Sequence, residues 1–124
     1  MSELRTNTLS NVAGTGPVVL TGQSAAKAWA NLDGTGTIVL RDDFNVASVA
    51  DNGTGDYTFN YSNNMASSSY VFGVTGANNS TYEVRHYNTL TRSASAAQVR
   101  CQNNSGPGFQ DASYVGMSIH GDLA

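Results

Sequence analysis

The segment that most constrains the fold is DYTFNYS, residues 56–62. In an extended chain Tyr57, Phe59 and Tyr61 point to one side, and Asp56, Thr58, Asn60 and Ser62 point to the other. An aromatic at every second position predicts a strand with one face in a core. The strand is introduced by Asn52-Gly53, residues that tolerate positive φ and so signal a hairpin turn, with Gly55 giving further slack. The same period of two recurs further along. YVFGVTG (70–76) places Tyr70, Phe72 and Val74 on one face, and YEVRHYN (82–88) does so with Tyr82, Val84 and His86. SAAQVRCQN (95–103) aligns Ala97, Val99 and Cys101, and the last run (113–123) aligns Val115, Met117 and Ile119. Upstream, TIVLR (37–41) and NVASVAD (45–51) also read as strands, the first closed by the polar pair Asp42-Asp43.

Between these runs lie NNMASSS, ANNST and NNSGPG, which are loop compositions. Six or seven short strands with such connections predict an all-β chain, an antiparallel β-sandwich or jelly-roll-like domain over residues 25–124. Composition agrees, since Asn, Ser and Thr make up roughly a third of the 124 residues and only 12% are charged. SAAKAWANL (24–32) is the one stretch that could start a helix, with Ser24 as its cap and Trp29 packed against the sandwich. Residues 1–24 form a separate arm for assembly or docking. Leu4, Leu9, Val12, Val18, Val19 and Leu20 are too few to make a core alone, so they are expected to fold against something else. The arm carries the first copy of a repeat. NVAGTGPVVL (11–20) matches NLDGTGTIVL (31–40), and a third Gly-Thr-Gly stands at 53–55.

The charge pattern narrows the function. A formal charge of −3, a pI near 5 and scattered arginines leave no basic stripe for nucleic acid. No window approaches a membrane span, and the N-terminus has no apolar signal region, which predicts a start in the cytoplasm. The single cysteine, Cys101, reads as a buried small hydrophobe. His86 and His120 are the only histidines, and no nucleophile signature accompanies them. Asp42 and Asp43 would face opposite sides in a strand, so they do not form a carboxylate pair; in a turn they would cap or solubilise. DNGTGD (51–56) fails as a calcium loop, because the third and fifth positions after Asp51 are glycines and the twelfth is Ser62. The expectation is a non-enzymatic protein with no catalytic, cofactor or metal site. Its outward Asn, Ser, Thr, Gln and Tyr suit recognition of glycans or proteins, and equally a surface that is only soluble.

Two segments resemble bacteriophage proteins. MSELRTNTLSNVAGTGPVVLTG is similar to the start of small phage fibre-type proteins. Trp29, Asn31, Gly34 to Gly36, Arg41, Phe44 to Val46, Ser48, Val49 and Asp51 to Thr58 resemble a module of marine phage tail-fibre-like proteins. The closing VGMSIHGDL (115–123) resembles the final strand of that module. The resemblance names no catalytic residue. It implies a virion structural protein of tail-fibre or fibre-tip type, assembled in the host bacterial cytoplasm and typically homotrimeric. Its partners would be other virion proteins and a host-surface glycan or protein. The chain lacks a long shaft, so the same resemblance also fits a capsid decoration protein or head fibre.

Overall fold

The structure, a computed structural model, describes residues 24–77, 87–88, 91–102 and 108–124. The leucines and valines of the proposed arm, the first copy of the repeat, His86 and most of the strand expected at 82–88 lie outside the described residues.

The described chain is all β. In order the strands are β1 (Ala28–Asp33), β2 (Val39–Phe44), β3 (Val46–Gly53) and β4 (Asp56–Tyr61), followed by β5 (Val71–Ala77), β6 (Tyr87–Asn88), β7 (Ala96–Cys101) and β8 (Tyr114–His120). They form two four-stranded antiparallel sheets, ordered β2-β1-β8-β5 and β3-β4-β7-β6. First and last strands lie side by side in the centre of one sheet, and β4 and β7 are the central pair of the other. This nested pairing is the jelly-roll-like sandwich that the alternation predicts.

The core sits between the sheets and is built from the residues whose period of two pointed inward. Ala28, Ala30, Leu32, Val115, Met117 and Ile119 come from the β1–β8 sheet, and Tyr57, Phe59, Tyr61, Ala97, Val99 and Cys101 from the β4–β7 sheet. Fully buried side chains such as Phe59, Leu32 and Ile119 contribute about 1.5–3 kcal/mol each relative to exposure. Phe72 and Val74 of β5 pack against this cluster from the edge.

Three sequence expectations are corrected. The helix expected from SAAKAWANL is β1 instead. Its alanines alternate inward, and hydrogen bonding to β2 and β8 on both sides outweighs their helix propensity. Trp29, expected to pack into the sandwich, falls on the outward positions and remains 37% exposed. Asp42-Asp43 does not close a strand, because β2 runs through it to Phe44. A bulge at Arg41 shifts the register there, so Asp42 faces Asn31 and Asp43 faces buried Ala30.

Asn45 carries the chain from one sheet to the other in a single residue. It adopts φ 59°, and its side-chain amide donates to the carbonyls of Lys27 and Asn63 while accepting from the Asn63 amide. At one end of the sandwich, two Gly-Thr-Gly turns converge. The Tyr57 hydroxyl lies 2.9 Å from both the Gly34 carbonyl and the Asp111 carboxylate, and Asp111 also accepts from the Gly55 amide at 2.7 Å. A Cβ on Gly34 would sit 2.2 Å from the Tyr57 hydroxyl oxygen, and one on Gly55 2.6 Å from the Gln110 carbonyl. These glycines therefore serve packing as well as turning.

Candidate functional site

The candidate sites are the two outer faces, because the inner faces are filled by the core. On the β1–β8 sheet, cross-strand pairing lays out the exposed residues in rows. One row reads Phe44, Trp29, Ser118, Gly73, and the next Asp42, Asn31, Gly116, Thr75. Strand β5 adds Val71 at the end, 70% exposed, and Phe44 at the opposite edge is 52% exposed. Between these ridges Gly73, Gly116 and Ser118 leave a shallow trough of about 270 Å³, walled by Trp29 and Thr75. The one guanidinium nearby is engaged. Arg41 is paired with Asp33 at 2.6 Å, donates to the Ser113 carbonyl and lies 4.5 Å from the centre of the Tyr114 ring. Hydrogen bonds from Thr35, helped by Arg41, hold the Asp33 carboxyl below its usual range. The middle of this face is thus apolar or small, and uncharged.

The outer face of the β4–β7 sheet is tied to itself. Asp56, nearly buried, accepts from Asn52 Nδ2 at 3.1 Å and Gln98 Nε2 at 2.7 Å with one oxygen, and from Arg100 Nε at 2.6 Å with the other. Burial pushes its pKa upward, but the bonds from Gln98, Arg100 and Asn52 outweigh it and hold the carboxyl below the ordinary range. Arg100 lies in turn 5.1 Å from the centre of the Phe109 ring. Asn52 Nδ2 also donates to Thr58 Oγ1 at 2.8 Å, and Asn60 donates to Ser48. Beside this network Asn52, Thr58, Thr91, Ser93, Ala96 and Gln98 line a pocket of about 210 Å³.

The segment with the look of a metal loop is resolved by these partners. Gly53 and Gly55 have φ of 121° and 62°, and Asp51 Oδ1 caps the Gly53 amide at 2.9 Å. Asp51, and not Asp56, ties down the turn's backbone. The Asp56 oxygens receive three N–H donors, including a guanidinium, which is a site for a carboxylate and not for a cation. Among the described residues no three His, Cys, Asp or Glu side chains converge as a metal site.

Cys101 is fully buried as expected, and burial pushes its thiol up to about 12, so it carries no thiolate at neutral pH. His120 ends the central strand β8, with Nδ1 3.2 Å from the Ser24 carbonyl. Sequence reasoning missed the Asp56-centred network, whose members lie on three strands. Asp56 and Arg100 both occupy outward strand positions in a chain with few charges, and that was the available signal. It equally missed the trough, whose floor comes from pairing β5 with β8. Searches of family models, curated proteins and solved structures find no match to this chain.

Proposed function

We propose that the protein is a non-enzymatic bacteriophage virion structural protein, of tail-fibre or fibre-tip type, that assembles as a homotrimer through the outer face of its β1–β8 sheet. The observation that carries the assembly surface is the exposed set of Phe44 and Trp29 on one side and Val71 on the other, around an uncharged floor of Gly73, Gly116 and Ser118. The proposed occupant is a second copy of the same chain. Identical copies carry identical charge, so self-association favours a face whose middle has none, as here, where Asp42 stands at the β2 edge and Asp33 is paired with Arg41. Aromatic ridges next to a glycine trough also allow one copy to seat against the next at close backbone approach. The phage assignment and the number three rest on the sequence resemblance, some of whose residues have an evident place in the fold. Asn45 makes the sheet switch, Gly34 and Gly55 close the sandwich end, and Trp29 stands on the exposed face.

Light scattering of the full chain tests the assembly. The expected mass is three protomers, falling to one in Trp29→Asp with Phe44→Ser while the far-UV spectrum is retained. A one-protomer mass for the unaltered chain at tens of micromolar would remove the assembly surface. Antibody labelling of intact particles tests the virion role. Label on the tail supports the fibre reading, label on the head replaces it with capsid decoration, and no label overturns both.

A further inference from the structure

We propose that the pocket beside Asp56, on the outer face of the β4–β7 sheet, binds a single neutral pyranose ring. The inference rests on the tail-fibre or fibre-tip role proposed above and names a ligand for it.

The pocket is lined by amides and hydroxyls with no charged side chain among them: Asn52, Thr58, Thr91, Ser93 and Gln98, with Ala96 as the apolar element. Its polar groups are fixed in advance. A carboxylate only accepts, so the NH₂ ends of Asn52 and Gln98 must both turn toward Asp56 Oδ1, which settles the orientation of both amides. Asn52 spends its second N–H on Thr58 Oγ1. Its carbonyl oxygen and that of Gln98 then have no donor among the described residues. Thr58 Oγ1 already accepts, so its own proton is left to donate, and Thr91 adds an exposed hydroxyl on the other wall. Ser93 is committed to its own turn, accepting from the Ser95 and Ala96 amides.

This array offers acceptors and donors side by side, which matches adjacent sugar hydroxyls, since each of them both donates and accepts. Ala96 gives the C–H face of a ring an apolar contact. The charge balance argues for a neutral ligand, because Arg100 pairs with Asp56 at 2.6 Å and cancels its charge beneath the pocket. An anion would meet two carbonyl oxygens. The volume of about 210 Å³ lies below the roughly 300 Å³ at which pockets for larger small molecules begin, which suits one ring and not a chain of them. Preorganised amides lower the ordering cost of binding, although a site this open and small holds a monosaccharide weakly. Three pockets on one assembly would multiply that affinity through avidity.

The test is a titration of the full-length, isotope-labelled protein with methyl α-glycosides of galactose, glucose and mannose, followed by NMR. The expected result is saturable shifts of the Asn52 and Gln98 side-chain NH₂ signals and the Thr58 and Thr91 amides, with a dissociation constant of about 1–10 mM for at least one sugar. Signals of Gly73 and Gly116, on the other face, should stay unmoved. Thr91→Val, at an exposed position with no side-chain hydrogen bond among the described residues, and the isosteric Thr58→Val should each weaken binding by about tenfold. Saturable shifts absent for all three sugars, shifts reproduced equally by glycerol, or binding unchanged in both variants would each overturn the site. A second arm separates the ring's source. Displacement of the methyl glycoside by purified host-surface polysaccharide identifies a polymer end, and lack of displacement leaves a free sugar. Failure here is distinguishable from failure of the virion role, because sugar binding and particle labelling are read independently.

Discussion

The two outer faces of the sandwich are made by the same alternation, yet they end in opposite conditions. On the β4–β7 sheet each outward polar residue of β3, β4 and β7 finds a partner across the strand or diagonally. Asp56 gathers Asn52, Gln98 and Arg100, and Asn60 reaches Ser48. On the β1–β8 sheet the corresponding central positions are Trp29, Ser118 and Gly73, or Asn31, Gly116 and Thr75, and of these only Asn31 joins a side-chain bond among the described residues, a long one from Arg41 at 3.5 Å near the β2 edge. One face has spent its interactions within the protomer, and the other has kept them. Outward direction alone therefore says little about what a strand residue does; what it meets on the neighbouring strand decides that.

The two faces keep separate characters only while the sheets hold their register, and that register is pinned where the Gly-Thr-Gly turns close over Tyr57 and Asp111. The largest expected effect lies there. Gly55→Ala must hold a Cβ at φ 62° and within 2.8 Å of three backbone atoms of Cys101 and Gln110. Left-handed strain and overpacking together should cost about 3 kcal/mol, measured by urea denaturation. Because backbone cannot rotate away as a side chain does, a loss below ~1 kcal/mol would show that the sandwich end is not pinned by this turn.

Next in size is the network itself. Asp56→Ala leaves the Gln98 and Asn52 amides and the Arg100 guanidinium without their acceptor, and should cost the protomer about 2 kcal/mol. The matched truncation on the other face, Phe44→Ala, removes a half-exposed ring and should cost the protomer less than ~1 kcal/mol. Equal losses would break the contrast between the faces. The pH dependence has a fixed sign. The Asp56 carboxyl is held low in the folded chain, so its contribution is complete above its unfolded pKa and disappears as pH falls through the lower folded value. Wild type should therefore lose more stability than Asp56→Asn between mildly acidic pH and the acid limit of the carboxylate range, as read from denaturation midpoints.

Much of the fold was legible in the sequence, and for one reason. Where alternating positions carry large apolar groups, as with Tyr57, Phe59 and Tyr61 or Val115, Met117 and Ile119, the period of two is loud. In β1 the inward residues are Ala28, Ala30 and Leu32, and alanine signals helix as readily as strand. Only the pairing with β2 and β8, remote in sequence, decides it. The reading of DNGTGDYTFNYS as a hairpin held, but the sequence did not show what its two aspartates bind. Asp51 caps the turn locally, whereas the partners of Asp56 include Gln98 and Arg100 on another strand. Both candidate sites share that property. Their residues meet through strand pairing at long sequence separation, which local pattern cannot place.

The smallest expected effect is the most discriminating, because its sign differs between protomer and assembly. In the protomer, Gly73 of β5 lies on the exposed face, and a Cβ there meets the Ser118 hydroxyl at 3.1 Å, a side chain that can turn aside, and the Ser118 carbonyl at an ordinary 3.9 Å. Glycine in a strand is less favourable than alanine by about 0.5–1 kcal/mol, so Gly73→Ala should leave protomer stability unchanged or raise it by about 0.5 kcal/mol. The same methyl raises the floor of the trough between Trp29 and Thr75, where a second copy is proposed to seat. Overpacking at such a contact costs about 1–3 kcal/mol, enough to weaken association tenfold or more at each interface. Gly73→Ala should therefore melt no lower at dilutions where the chain is monomeric, while its scattering mass falls away from that of the assembly at concentrations where the wild type is intact. A variant that lost stability without losing mass would place this glycine inside the fold's own packing, and the two outer faces would no longer differ in the way described. If stability rises and mass falls together, the glycine is there for the neighbour and not for the strand.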